Sequence, residues 1–332
     1  MGLSHFPHGV LATPNLGMGR LLDMFNSGNI FFVDGDGGSA SKTGSTPGDP
    51  VALPSTAVGL AARNATVYVK PKTTSASAQA YYQDNITIPL TKPNISIVGA
   101  GNTGSNSGVQ IKPLDVATHL VEVKGAGLTL ENMRLTLNGG TADLKMSIVH
   151  AVNETGVATP AGLTIRGCRF EGDKSVPSIT SSTDMCSSIA LGTVNYCTIE
   201  DNVFYSCHGG IVGQLSTASF HNVVVQRNIF SGAPANRCVD IWMNVALAGV
   251  MILNNVFADG LPTHAGATIA NYFLYLADAG TGIIAGNYFA TATNSFGAAG
   301  SEARFPDTFF SAGNTYDAAS AGTTTAGMFG SS

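Results

Sequence analysis

The sequence predicts an all-β fold: a right-handed parallel β-helix with an N-terminal arm and a short capping helix. Three observations point to it. First, a six-residue phrase, I-x-x-N-x-F, returns down the second half of the chain as IEDNVF (199–204), VQRNIF (225–230), ILNNVF (252–257) and IAGNYF (284–289). Degenerate copies, LENMRL (130–135), IRGCRF (165–170) and SAGNTY (311–316), extend it both ways. The Asn-equivalent position therefore falls at Met133, Cys168, Asn202, Asn228, Asn255, Asn287 and Asn314. A phrase recurring every roughly 20–50 residues marks a stack of similar coils, each unable to bury its apolar face alone. Second, each copy flanks a polar pair and an Asn with apolar positions, which fits two short strands meeting at a bend and not a stripe of helical period. Third, the chain is rich in Gly, Thr, Ser, Asn and Val, residues of strands and turns. The Ala, Leu, Glu and Lys runs of a helical solenoid are missing.

Taken in order, residues 1–28 read as an extended arm holding Pro7 and Pro14, with one helical turn at RLLDMF (20–25). Met18, Leu21, Leu22 and Phe25 are its candidate contacts to a capsid or other partner. Residues 29–104 form the opening and first coils. NIFFVDGDGG contains a strand, a polar loop runs to about Pro50, and ALPSTAVGLAAR (52–63) is a short apolar helix. ATVYVKP (65–71) is a strand, 72–84 a second polar loop, and NITIPLTKPNISIVGAGN (85–102) two further rungs. A helix before the coils is physically sensible, because an open solenoid end exposes unpaired strand edges and an apolar core. The segment 54–63, with 21–25, is assigned to that cover. Residues 105–316 are the main column; about eight to ten coils at roughly 4.8 Å per step make it about 40–50 Å tall. Residues 317–332 form a flexible tail or a docking strap, with Met328 and Phe329 near its end.

Asn suits the bend, since it tolerates the left-handed backbone a sharp corner needs. Stacked Asn side chains also hydrogen-bond up and down a column. Asn202, Asn228, Asn255, Asn287 and Asn314 are read as that structural ladder. Phe170, Phe204, Phe230, Phe257 and Phe289 are read as an inward aromatic stack.

Composition narrows the function. Charged residues are 11%, far below the roughly 25% of a typical soluble protein, so much of the exterior is expected to meet partners. The net charge of −5 gives no basic footprint for nucleic acid. No apolar run in the sequence is long enough for a membrane-spanning helix, which takes roughly 20 residues. The five cysteines, Cys168, Cys186, Cys197, Cys207 and Cys238, are odd in number and lack CxxC spacing. They read as buried free thiols in a protein folded in a reducing cytoplasm. The N-terminus lacks a basic start and an apolar segment of the secretory kind.

Several motifs fail their own tests. Gly99, Gly101 and Gly104 match G-x-G-x-x-G after a strand, but no helix pattern follows; they read as a turn between rungs. Asp34-Gly-Asp36 resembles the start of a calcium loop whose later ligands are missing. The histidines show no H-x-H or H-E-x-x-H spacing, and neither a metal nor another cofactor is expected. Glycoside hydrolysis needs two carboxyl groups about 5–10 Å apart. The weak candidates are Asp240 and Asp278; the bland alternative is turn capping and solvation. Trp242, with Tyr272, Phe273 and Tyr275 one coil later, reads as core, subunit interface or a sugar-stacking strip.

The opening IFFVDGDGGSASKTGSTPGDPVA, followed by ATVYVKP and the I-x-x-N-x-F rungs, resembles pectate-lyase-like right-handed β-helix proteins over about residues 29–316. The FPHGV start is similar to β-helix proteins encoded by tailed bacteriophages. Family enzymes carry acid clusters on one sheet, which this chain does not visibly do. Phage tailspikes of this fold add a particle-binding domain and a longer column, whereas only the short arm precedes the solenoid here. The resemblance implies a structural virion protein: a homotrimer that decorates or cements the capsid of a tailed phage. It would contact the major capsid protein, be made in the host cytoplasm and reside on the virion surface. The alternative is a tailspike-type protein that binds or degrades a glycan. Neither nucleic acid nor membrane is an expected partner.

Overall fold

The computed structural model describes residues 29–73, 80–101, 108–114, 119–137, 147–151, 161–172, 187–207, 209–213, 219–231, 239–243, 246–258, 272–276, 280–292, 303–305 and 307–318. Within them the chain winds through three parallel sheets, each coil adding one strand to each sheet in turn. The connections keep one hand, and the architecture is a right-handed parallel β-helix. Sheet 1 has ten strands: Ile30–Val33, Thr66–Val69, Ser96–Gly99, Thr129–Glu131, Thr164–Arg166, Val194–Glu200, Ser219–Gln226, Ala246–Leu253, Gly280–Ala285 and Phe309–Ala312. Sheet 2 has eight: Ile86–Ile88, Val121–Val123, Ser147–Ala151, Ser187–Leu191, Gly209–Gly213, Val239–Met243, Tyr272–Leu276 and Ala303–Arg304. Sheet 3 has nine: Tyr82–Gln83, Gln110–Lys112, Arg134–Thr136, Arg169–Glu171, Val203–Tyr205, Ile229–Ser231, Val256–Phe257, Tyr288–Ala292 and Thr315–Ala318. The last strand ends at Ala318, just inside the stretch expected as tail. The arm (1–28), with Met18, Leu21, Leu22 and Phe25, and residues 319–332 lie outside the described residues.

Helix α1, Pro54–Leu60, lies on the first coils and buries Pro54, Ala57 and Val58. Its N-terminus has no side-chain cap of its own. The cap comes from sheet 3's first turn: the Ser55 amide donates to Asp84 Oδ2 at 2.7 Å. The outer edge of strand Ile30–Val33 is covered as well. Phe32 donates to Gly44 O, Asp34 donates to Val51 O, and Val51 donates to Phe32 O. The opening end of the column therefore presents no bare edge along that strand.

The I-x-x-N-x-F phrase forms the corner between sheets 1 and 3. Each ladder Asn is buried. Asn255 Oδ1 accepts from both the backbone N–H and Nδ2 of Asn228, and Asn255 Nδ2 donates to Val225 O and Asn287 Oδ1. The same pattern links Asn202 to Asn228 and Asn287 to Asn314. At its lower end Cys168, standing at an Asn position, donates its N–H to Asn202 Oδ1. The left-handed backbone sits one residue earlier than the sequence suggested: on Asp201, Arg227 and Asn254, and on Gly167, Gly286 and Gly313, not on the ladder Asn itself. Glycine suits Gly286, where φ is +68° and a Cβ would come within 2.3 Å of Asn254 Oδ1, so that side chain would have to move.

Inside the column, the rings of Phe170, Phe204, Phe230, Phe257 and Phe289 stack with centroids 4.6–5.0 Å apart and planes within 8° of parallel. Phe273, from sheet 2, tilts against Phe257 and Phe289 at 5.8 Å. Ile97, Leu130, Ile165, Ile199, Val225 and Ile252 supply the sheet 1 wall of the same core.

Candidate functional site

With the core filled by apolar side chains, chemistry is left to the outer faces, and the three sheets differ. On sheet 2 one outward row runs Thr87, Glu122, His150, Ala190, Val212, Trp242, Tyr275 across successive strands. Toward its lower end the rings of His119 and His150 stack at 3.7 Å, 3° from parallel. The Ser147 N–H donates to His119 Nδ1 at 3.0 Å. Glu122 pairs with Lys124 at 3.0 Å. Higher up, Trp242 and Tyr275 stack at 4.1 Å and, with Val212 and Val239, make a small apolar cluster separate from the main core. Trp242 is only 8% exposed, so little of its surface is open.

Asp240 does not belong to that outward row. Its neighbours in adjacent strands are Gly210 and Phe273, fixed by the flanking pairs Gly209↔Val239↔Tyr272 and Ile211↔Ile241↔Leu274. That row turns inward: Phe273 is fully buried, and a Cβ on Gly210 would strike the Phe230 ring at 2.8 Å. Asp240 is half-buried near the Cys207 thiol, which burial, joined by this carboxylate, pushes up to about 12. Phe273, not an acid, stands in register beside Asp240 on the next strand. Asp278 itself lies outside the described residues.

Sheets 1 and 3 change character along the column. The outward row of sheet 1 reads Thr66, Ser96, Thr129, Thr164, Thr198 and then Val224, Met251, Ile283, Phe310. Ile283 is 38% exposed and Phe310 65%. On sheet 3 the row reads Arg134, Arg169 and then Val203, Ile229, Val256, Tyr288, with Ile229 41% exposed. Ion pairs run from the earlier coils up to the corner beside Val203 and Ile229. Arg166 bonds Glu131 at 3.0 Å; Arg134 and Arg169 each meet Glu171 at 2.6 Å; Arg227 reaches Glu200 and Asp201, both at 2.8 Å. Arg169 also lies over the Tyr205 ring at 5.1 Å.

The remaining sequence candidates are occupied by local roles. Asp34 Oδ1 accepts from the amides of Asp36 and Gly37 while Oδ2 holds Lys70 at 2.7 Å. Asp36 Oδ2 takes the Thr73 amide and hydroxyl. This loop is a bonded turn. The Gly99–Gly101 stretch is likewise a corner, where both carbonyls accept from Asn132 Nδ2. Among the described residues no group of three His, Cys, Asp or Glu is placed to hold a metal ion. The sequence reading passed over the His119–His150 pair. Its signal is a separation of one coil, which places like residues above one another.

No protein-family model matches the chain, and no curated protein does. Among solved structures it is similar to a rhamnogalacturonan lyase, with TM-score 0.48 and 12% identity over 79% of this chain and 68% of that one. It is also similar to a pectin methylesterase from carrot (TM-score 0.41, 14% identity, 89% and 84% covered) and one from Aspergillus niger (0.38, 12%, 88% and 87%). The fold class stands on the three parallel sheets themselves; likeness at this level says nothing of activity.

Proposed function

We propose that this chain is a structural component of a tailed-phage virion, a homotrimer that decorates or cements the capsid in contact with the major capsid protein. The observation that supports it best is the exterior of the later coils. Ile229, Ile283 and Phe310 stand exposed there, and exposed apolar patches mark association surfaces. The phage assignment rests on the FPHGV resemblance, and the arm (1–28) is the proposed particle contact. Quantitative mass spectrometry of purified particles from the source virus tests the reading. Hundreds of copies per particle, near the number of the major shell protein, are expected. A few to some tens would move the protein to a tail spike, and absence from particles would end the virion reading. Deleting residues 1–25 should leave a folded column that no longer binds particles.

A second reading, tailspike-type glycan binding or cleavage, draws on the sheet 2 row, where the Trp242–Tyr275 stack shares a face with His150 and Glu122. Tyr275→Ala, which removes the more exposed ring of the stack, should abolish retention on a glycan array if this reading holds. An unchanged profile, or no glycan bound by the wild type, removes it.

A further inference from the structure

The corner where the chain passes from sheet 2 into sheet 1 repeats one backbone shape. Asn64, Asn94, Gly127, Gly162, Tyr196, Asn222 and Gly249 follow one another up it, linked coil to coil by backbone bonds and strand register. All of them have φ between +54° and +74°. Gly and Asn bear that conformation most easily, and a bulky side chain bears it worst. Every member is Gly or Asn except Tyr196. Burial does not account for the exception: Tyr196 is 68% exposed, the most open of the large apolar side chains among the described residues. A tyrosine here neither eases the turn nor fills the core. A local rule broken without a packing gain points to function.

We propose that Tyr196 is the stacking platform of a carbohydrate site on this corner, one that takes an uncharged pyranose segment. The site is separate from the sheet 2 row and depends on neither functional reading above.

The surroundings select the ligand. Directly below Tyr196 the corner runs through Gly162 and Gly127, which carry no side chain. For two coils, about 10 Å at the strand spacing, a ring can therefore approach the bare backbone. On one side stand the hydroxyls of Thr129, Thr164 and Thr198, on the outward row of sheet 1. On the other stand Asn195 and the exposed His221, in register with each other. Hydroxyl, amide and imidazole groups can all both donate and accept, as the hydroxyl rim of a sugar requires. The apolar C–H face of the sugar needs a flat ring, which Tyr196 supplies with a polar tip. Bonds to the coils on either side hold its backbone in place, so little freedom is lost on binding. Charge excludes acidic ligands as the preferred class. Residues 161–164, 193–198 and 219–224 include no Asp, Glu, Lys or Arg, so no cation there selects a carboxylate or phosphate. A protein contact centred on a tyrosine would pack it in a close-fitting, desolvated pocket, whereas the neighbours of Tyr196 are Gly, Thr and Asn.

The test puts the full chain on a printed array of neutral and uronate-bearing oligosaccharides, with the urea midpoint of each variant measured alongside. Wild type is expected to retain neutral oligosaccharides. Tyr196→Asn, which restores the residue the corner otherwise uses, should unfold at an equal or higher midpoint. Its affinity for the best-retained oligosaccharide, read by calorimetry, should fall about tenfold or more, while Tyr196→Phe stays within about threefold of wild type. No retention by wild type, a preference for uronates, or wild-type affinity in Tyr196→Asn would overturn the inference. So would a lower midpoint for Tyr196→Asn, which would make the ring structural. Retention lost in Tyr275→Ala but kept in Tyr196→Asn would overturn it too, while preserving the sheet 2 reading. Loss of particle binding in Tyr196→Asn, with no glycan retained by wild type, would make the residue a protein contact instead.

Discussion

Asn255 makes four side-chain hydrogen bonds inside the column, two accepted and two donated. Asn255→Ala removes all four and leaves the buried Asn228 N–H without its acceptor. At about 1–3 kcal/mol per orphaned group, the variant should lose at least about 3 kcal/mol, read as a lower urea midpoint. A loss under about 1 kcal/mol would mean that the ladder decorates the corner without holding it. The recurring Asn was plain in the sequence, but the backbone reason offered for it belongs one residue earlier. The positive φ sits at Asp201, Arg227, Asn254, Gly286 and Gly313, a set too mixed in residue type to announce itself. What singles out Asn at the next position is an amide that accepts from the coil on one side and donates to both neighbouring coils. Glu171 tests a different residue-scale balance. Burial alone would raise its pKa, but Arg134 and Arg169 outweigh that and hold the carboxyl below its ordinary value. A depressed pKa in the folded state means stability that is present above the unfolded value, about 4.3, and is lost as pH falls through the folded one. Glu171→Gln should therefore cost about 2 kcal/mol at pH 7, the gap to wild type closing below about pH 4. A gap independent of pH would show the carboxylate charge to be irrelevant.

At the scale of elements, helix α1 depends on a residue from another part of the coil. Asp84 caps it through the Ser55 amide, yet burial raises the Asp84 pKa, and the bonds from Ser55 and Asn85 do not fully offset it. A raised folded-state value makes the ionised form a cost that grows as pH rises past the unfolded pKa of about 3.9. The acceptor is needed, while its charge is a burden. Asp84→Asn should thus be near neutral at pH 7 and Asp84→Ala should cost about 1 kcal/mol, with limited proteolysis opening at 54–60 in the alanine variant only. Equal losses in both would put the charge, not the cap, in control. The helix itself was legible from its apolar run, whereas the cap was not, because no local pattern links Ser55 to a residue so far along the chain as Asp84. Asp240 is a similar case. Its place on a strand could be read, but the inward turn of the row it shares with Gly210 and Phe273 arises where two consecutive residues, Asp240 and Ile241, both face away from the outward Trp242 row, and period-2 alternation gives no warning of that.

For the molecule as a whole, the repeat phrase revealed the column but only half of its exterior. The first coils lack the phrase, yet Thr66 and Ser96 hold the same outward register as Thr129, Thr164 and Thr198, which precede its first copies, and as Val224, Met251, Ile283 and Phe310. The passage from Thr to aliphatic along one row appears only once register is known. Continuity also bears on how the column comes apart. A solenoid is a chain of nearest-neighbour contacts and can fray coil by coil. Here the Asn ladder and the Phe stack run unbroken from Cys168 and Phe170 up to Asn314 and Phe289, tying several coils into one unit. Cys168, Cys197 and Cys207 report on it. All three are buried free thiols, each pushed up to about 12 by burial, and a protonated thiol without solvent access does not alkylate. In native buffer at pH 8 none should react with iodoacetamide. Through a urea titration, peptide mass spectrometry should show the three labelling together, at the midpoint of the loss of strand signal. Cys168 becoming reactive well before Cys207 would instead mean that the ladder and stack leave neighbouring coils independent, and that the column unfolds from its earlier end.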